Sequence, residues 1–206
     1  MTNKFILESF WQKAANCASI ALIKAAVLRY GLRRSFQVRR RNENLIITLQ
    51  DRRMLVLTEK EIRAINRENK ILYSPYRDPS KKRALIKLRE FAETAFAIMV
   101  RSIQLEGYEG KEHTQSSAIR LLTRTGISTA QLHRLLGFSR KSAAAHKLAQ
   151  KHLSLFNRKN GVLLYSDLHI VVVSKGYYED FGKAITLEGK IPLLKGKKAK
   201  YWFELQ

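Results

Sequence analysis

One apolar segment near the start of the chain, residues 17–30, restricts the possible folds more than any other feature. Its polar and charged members are Ser19, Lys24 and Arg29. Asn16 before it and Gly31 after it are common helix-capping residues, so the segment is predicted to form one helix. A helix that is apolar on nearly every side must be surrounded by other elements. We therefore predict that this helix lies at the centre of the fold.

After this segment the sequence predicts one β-hairpin and then a series of helices. A hairpin comes first, predicted from two β-rich runs at residues 45–49 and 54–58. Thr58 and Glu61 have the spacing of a capping box, which predicts a short helix to about residue 69. Further helices are predicted at residues 81–106, with Ser80 as cap, and at 115–123, 129–136 and 140–156. The middle third of the chain is therefore predicted to be wholly helical.

The last quarter of the chain has a different pattern. Four strand-like runs are separated by Gly or charged turns, at residues 162–165, 169–174, 184–187 and 201–204. Helices followed by strands, without regular β-α-β alternation, predict an α+β fold with an antiparallel C-terminal sheet. We expect a single domain over residues 1–206, in which residues 107–160 could form a helical insertion or sub-domain.

The charge of the chain predicts contact with polyanions. Thirty-nine Lys and Arg residues against 17 Asp and Glu residues give a net charge of +22. A protein so basic should bind nucleic acid nonspecifically through counterion release. At 45% hydrophobic residues the chain can still bury a core, which excludes the disordered class.

No membrane or secretion signal is evident in the sequence. Residues 18–30, the most apolar stretch, are interrupted by Lys24 and are shorter than the roughly 18 residues that a membrane span needs. Residues 1–13 contain Glu8 and lack the apolar run of a signal peptide. A cytoplasmic location is the default expectation.

The single cysteine occupies a position that suits a nucleophile. Cys17 opens the predicted central helix, where the positive end of the helix dipole favours the thiolate over the thiol. His169 stands at the head of a β-branched strand, a rigid position for a general base. The alternative is that Cys17 is a small buried hydrophobe, since lone cysteines on apolar helices usually are.

Two stretches resemble papain-like cysteine peptidases, with a calpain-type character. They are residues 11–19, which lead into the apolar helix, and residues 168–173 with the Gly176-to-Gly182 segment behind them. The resemblance implies a papain-like fold, Cys17 as nucleophile, His169 as base and Gln12 as an oxyanion donor. It also implies thiol-dependent hydrolysis or acyl transfer on peptide or isopeptide bonds of a protein or peptide substrate.

The chain departs from this family at two positions. Gln12 lies one residue closer to the cysteine than in the family pattern, and no Asn follows Asn160 to orient the histidine. Asp180 and Glu188 are the acids that could replace that Asn, and Asp180 is preferred because it follows soon after His169. A catalytically inactive papain-like protein that binds a partner remains an alternative.

The remaining motif searches give no metal or cofactor site. His113, His133, His146 and His152 fall in no metal-binding pattern such as His-Glu-x-x-His. The chain has neither a Gly-rich phosphate loop nor a Gly-x-Ser-x-Gly motif. We predict no metal and no cofactor.

A possible DNA-reading motif competes with the enzymatic interpretation. Residues 128–148 contain two predicted helices around a Gly turn, at helix-turn-helix spacing. The start of the second helix would carry the candidate nucleic-acid-binding residues Arg140, Lys141, Ser142 and Lys147. Any helical hairpin with a Gly turn fits this template, and the basic residues are spread along the whole chain. The sequence therefore leaves open a basic nucleic-acid-binding protein.

Overall fold

The protein is described by a computed structural model. It describes residues 1–13, 17–75, 79–125, 128, 131–139, 146–167 and 169–206. The α-helices are α1 (Asn3–Ser9), α2 (Cys17–Tyr30), α3 (Glu59–Asn66), α4 (Pro79–Glu106), α5 (Gln115–Arg120) and α6 (Leu153–Phe156). A π-helical turn covers Leu121–Thr125, and 3-10 turns cover Leu132–Leu136 and Gln150–His152.

Strands occur in both halves of the chain. They are β1 (Phe10–Gln12), β2 (Gln37–Arg41), β3 (Asn44–Thr48), β4 (Met54–Thr58), β5 (Ile71–Tyr73), β6 (His146–Lys147), β7 (Asn160–Tyr165), β8 (Ile170–Ser174), β9 (Tyr177–Asp180), β10 (Lys183–Thr186), β11 (Leu193–Leu194), β12 (Lys197–Lys198) and β13 (Tyr201–Glu204). The fold is therefore mixed α+β.

In the described part of the chain, no helix is both long and apolar enough to cross a membrane.

A six-stranded antiparallel sheet forms the C-terminal part of the fold, in the order β10-β9-β8-β7-β13-β6. Its central strand β8 is buried along its whole length. Because side chains alternate along a strand, Ile170 and Val172 join one apolar cluster while Val171 and Val173 join another on the opposite face. The predicted C-terminal antiparallel sheet is confirmed, and its central strands β7 and β8 are covered on both faces.

Helix α2 is the central helix that the sequence predicts. It is buried from Ala18 to Leu28 and packs on β7 and β8. Gly31 ends it with a φ of +76° and donates its N–H to the Val27 carbonyl oxygen at 2.8 Å, as expected for a glycine cap. Asn16, the predicted N-cap, lies outside the described residues.

Two contacts give the direction of α2 across the sheet. Gly161, at the start of β7, lies so close to the helix that a Cβ there would be 2.5 Å from the Ala25 carbonyl oxygen. At the last residue of α2, the Tyr30 ring stacks on Phe138 at 5.0 Å, beside the point where the backbone of Ser139 pairs with Gln206. Both contacts lie where β7 begins and β13 ends. The N-terminus of α2 therefore points to the other end of the sheet, where β8 begins.

A separate three-stranded sheet, in the order β2-β3-β4, follows α2. The predicted hairpin forms its β3 and β4 strands, and β2 adds an edge strand that the sequence did not predict. The predicted capping box is confirmed, because the Thr58 hydroxyl accepts from the Glu61 N–H at 3.1 Å and the Thr58 N–H donates to the Glu61 carboxylate at 2.7 Å.

The predicted helix at residues 140–156 is wrong at residues 146–149, whereas residues 140–145, the start of the second helix of the predicted helix-turn-helix, lie outside the described residues. His146 and Lys147 form strand β6, which pairs with Trp202 and Tyr201 of β13. The Leu148 N–H then donates to the Lys200 carbonyl oxygen at 2.7 Å. Helical structure resumes at Gln150. The ladder with β13 holds the chain extended, so the middle third is not wholly helical.

The segment 107–160 contributes to both layers of the fold. Ala118, Leu132 and Leu136 are buried in the same apolar cluster as α2. Leu153 and Phe156 belong to the cluster on the opposite face of the large sheet. The described residues of this segment therefore share their cores with the rest of the chain.

Candidate active site

His169 lies immediately before β8, in a tight turn that fixes its backbone. The Ser166 N–H donates to the His169 carbonyl oxygen at 2.9 Å, and the His169 N–H donates to the Ser166 hydroxyl at 3.2 Å. The imidazole is stacked on the Phe181 ring, with centroids 5.4 Å apart and planes 9° from parallel. Only 2% of the side chain is exposed. The ring is therefore held in one place and largely removed from water.

Asp180, the acid preferred from the sequence, is the partner of this histidine. It ends β9, the strand beside β8, and its Oδ1 lies 3.5 Å from His169 Nε2. This separation is an ion-pair distance and is longer than a good hydrogen bond. The other ring nitrogen, Nδ1, is buried without a hydrogen-bond partner among the described residues. Nε2 of the imidazole thus faces Asp180, and Nδ1 is available to accept a proton.

The surroundings of the pair favour a neutral imidazole. Burial first, and then the positive charge of Lys195, lower the pKa of His169 to about 4 against the opposing charge of Glu179. Burial also raises the pKa of Asp180, against the charges of Lys195 and Lys183. At neutral pH the His169 ring is therefore unprotonated, which is the form that a general base needs.

A buried ion pair joins the site to the central helix. Lys24 Nζ, with no exposed side-chain surface, lies 3.2 Å from Glu179 Oε1 and donates to the Leu7 carbonyl oxygen at 2.6 Å. The same Glu179 oxygen accepts the Gly182 N–H at 2.7 Å. Lys24 thereby anchors, through Glu179, the β9–β10 turn beside the histidine.

Sequence reasoning missed the Lys24–Glu179 pair, although one signal was present. A lysine in an otherwise apolar helix needs a buried partner, because an isolated charge in the core is very costly. The identity of that partner depends on a strand far along the chain, which the local sequence does not specify.

Cys17 is the first residue of α2, and its thiol is free and partly exposed. It packs against the apolar cluster on the α2 face of the sheet. Alternation along β8 assigns His169 instead to the face of Val171 and Val173. In the described part of the chain no hydrogen bond joins the thiol to the imidazole. Cys17 and His169 thus belong to the same end of the sheet and pack on different faces.

Gln12 ends β1, which pairs with β5. The preceding residue, Trp11, packs its ring directly against Gly182 in the β9–β10 turn. Strand β1 therefore lies beside the turn that carries Asp180 and Phe181. Glu188, the other candidate acid, is exposed.

Of the four candidate nucleic-acid-binding residues, Lys147 belongs to the described part of the chain. Arg140, Lys141 and Ser142 lie outside the described residues. Lys147 is exposed on strand β6, an edge of the large sheet. No group of three or more His, Cys, Asp or Glu side chains that could hold a metal ion occurs within the described ranges.

A cavity of about 720 Å³ lies at the opposite end of α2 from Cys17. Its lining includes His133, Phe138 and Gln206, together with the Arg53–Glu106 ion pair. Phe138 is the residue that stacks on Tyr30, so this cavity lies about 20 Å along the helix from the cysteine. It does not belong to the candidate active site.

Compared with known proteins, the chain matches no family model, no curated protein and no solved structure. The resemblance to papain-like cysteine peptidases therefore stays a prediction.

Proposed function

We propose that the protein is a papain-like, thiol-dependent acyl transferase or hydrolase acting on peptide or isopeptide bonds. Cys17 is the nucleophile and His169 the base, oriented by Asp180. The observation that carries the proposal is the buried His169–Asp180 pair, whose free Nδ1 can accept a proton. Asp180 replaces the Asn of the family pattern.

Each group has a defined part in the reaction. Nδ1 of neutral His169 accepts the proton of the Cys17 thiol as Sγ bonds to the substrate carbonyl carbon. Asp180, at Nε2, holds the required tautomer and stabilises the imidazolium that forms. The imidazolium returns the proton to the leaving amine when the carbon–nitrogen bond breaks, and water then releases the acyl group from Cys17.

The proposed oxyanion donors are the Gln12 side-chain amide and the Cys17 N–H. The first follows from the family resemblance. The second follows from the start of α2, where N–H groups lack helical partners. Catalysis also requires Cys17 and His169 to approach around the end of the sheet.

The direct test is the rate at which iodoacetamide alkylates Cys17 between pH 4 and 9, followed by intact mass. We expect His169→Gln to slow alkylation at pH 7 by at least about tenfold, because the base is lost. His146→Gln, a histidine at the far edge of the same sheet, is the matched control and should react like the wild type. A rate indifferent to His169 would make Cys17 a structural residue and overturn the proposal.

The acyl-transfer step itself can be observed with p-nitrophenyl acetate. Attack of Cys17 Sγ releases p-nitrophenolate and leaves an acetyl group on the cysteine. We expect a burst of p-nitrophenolate with acetylation at Cys17, both lost in Cys17→Ala and weakened in Asp180→Asn. Acetylation confined to lysines, and unchanged in Cys17→Ala, would count against acyl transfer by this thiol.

Strand β2 favours a second function, nonspecific nucleic-acid binding. All five of its residues are exposed, and three of them are Arg39, Arg40 and Arg41. An exposed row of guanidinium groups is suited to phosphates. This function would use the basic surface without any helix-turn-helix, and it is compatible with the enzymatic one.

A further inference from the structure

The charges around the His169–Asp180 pair are unevenly compensated. Glu179 is paired with Lys24 and accepts the Gly182 N–H, while Asp180 faces the His169 ring with its Oδ1 3.5 Å from Nε2. On the rim, Lys183 and Lys195 are exposed. Neither lysine has a carboxylate within ion-pair distance among the described residues. The rim of the site therefore carries two lysines whose charges act on Asp180 from beyond ion-pair distance.

Lys195 is the rim cation that contacts the aromatic ring stacked on the imidazole. Its Nζ lies 5.7 Å from the centroid of the Phe181 ring, and that ring stacks on His169. Its charge acts on both members of the pair, since it lowers the pKa of His169 and of Asp180. The β11–β12 turn that carries it also brings Lys197 and Lys198, both exposed. Lys195 is the lysine of this short hairpin that reaches the aromatic ring stacked on the histidine.

We propose that the site selects acyl substrates that carry a carboxylate beside the reacting carbonyl, and that Lys195 is the specificity-determining residue. Such a substrate is a peptide with Asp or Glu next to the bond that is cleaved. The carboxylate would replace water around the Lys195 ammonium, whose nearest described aromatic contact is the Phe181 ring. This inference rests on the proposed function and names its substrate class.

The test compares two alkylating agents of similar size that differ in charge. Iodoacetate carries a carboxylate beside the reacting carbon and iodoacetamide carries an amide; in both, Cys17 Sγ bonds to that carbon as iodide leaves into solvent. The rate constant for iodoacetate divided by the rate constant for iodoacetamide is measured at pH 7 and low salt. The measurement is made on wild type, Lys195→Gln and Lys195→Glu. We expect the ratio to fall by about twofold to threefold in Lys195→Gln and about fivefold to tenfold in Lys195→Glu.

Lys60→Glu is the matched control, because Lys60 is exposed on α3 and the substitution changes the net charge equally. A ratio that is unchanged by Lys195→Glu, or that falls as much in Lys60→Glu, overturns the inference. In that case an iodoacetamide rate that still depends on His169 leaves the proposed function standing. An iodoacetamide rate indifferent to His169→Gln overturns the proposed function and the inference with it. Peptides with Asp or Asn beside a vinyl sulfone give the same comparison on a substrate-like probe.

Discussion

The two larger sheets of this protein differ in how far they remove charged side chains from water. Strand β8 of the six-stranded sheet is buried at all five positions, whereas strand β2 of the three-stranded sheet is exposed at all five. Burial on both faces leaves Lys24, Glu179 and His169 with little water, so each needs a specific partner or changes its pKa. Arginines on β2 stay hydrated and need none. The sheet covered on both faces can tune ionisable groups for chemistry, while the open sheet presents charge to a partner.

The largest expected effect comes from removing one buried charge. Lys24→Met leaves Glu179 in the core without its cation, and we expect the free energy of unfolding to fall by about 3–5 kcal/mol. The matched change on the open sheet is Arg40→Met, which breaks the exposed pair with Glu59 and should cost less than about 1 kcal/mol. Urea unfolding measures both. Equal losses would mean that the two sheets do not differ in how they hold charge.

A second variant probes the close packing of α2 on the covered sheet. In Gly161→Ala, the new methyl group meets the Ala25 carbonyl oxygen, and a φ of +68° adds left-handed strain. Together these should cost about 3 kcal/mol. Gly196→Ala is the control, since it has a φ of +78° with nothing within 4 Å, and it should cost about 1–2 kcal/mol. If the two variants unfold at the same urea concentration, the contact between α2 and β7 is looser than described.

The sequence predicted the elements that are determined by residues close together in the chain. The apolar run of α2 with its Gly31 cap, the β3–β4 hairpin and the Thr58–Glu61 capping box all formed as expected. The long run of β-branched residues predicted β8, and its burial on both faces explains why that run has no polar alternation. Each of these features depends on residues that are neighbours in the chain.

Features that depend on distant pairing were missed. Residues 146–147 carry no strand pattern of their own and are extended because β13 supplies their partners. Strand β2 has no apolar alternation, since it packs only at the edge of the small sheet. In the candidate site, Asp180 could be predicted as the acid beside His169 because it follows soon after it in the sequence. The Lys24–Glu179 pair, and the face of the sheet on which His169 lies, follow from strand register.

A third prediction concerns acid stability, which should be controlled by the covered sheet. The pKa of His169 is about 4 in the folded protein and near 6.5 when unfolded, so the unfolded chain binds an extra proton between these values. Stability should therefore fall as the pH drops from 6.5 to 4, by up to about 3 kcal/mol. The raised pKa of Asp180 acts with the opposite sign, because that carboxyl holds its proton longer when folded.

The difference between wild type and His169→Gln isolates the histidine, since Asp180, Lys195 and Glu179 are present in both. We expect His169→Gln to lose less stability than the wild type over this range of pH. A two-dimensional NMR titration of the five histidines, assigned with His169→Gln, would locate the pKa independently. An ordinary value near 6.5 would show that the imidazole is hydrated and would remove the contrast with the open sheet.

The smallest expected effect lies on the open sheet and concerns salt dependence. Arg39 and Arg41 project from the same side of the exposed edge strand β2, because they are two residues apart. If β2 contacts phosphates, Arg39→Ala with Arg41→Ala should lower the slope of log affinity for duplex DNA against log salt by about 1.8, or about 0.9 for each contact. Fluorescence anisotropy between 50 and 200 mM salt gives the slope. The charge-matched control removes two exposed lysines away from β2, Lys183 of the six-stranded sheet and Lys198 of the β11–β12 hairpin. A slope that changes equally in both double variants would mean that DNA senses only the net charge of the protein, whereas a loss confined to β2 would give the open sheet a binding role of its own.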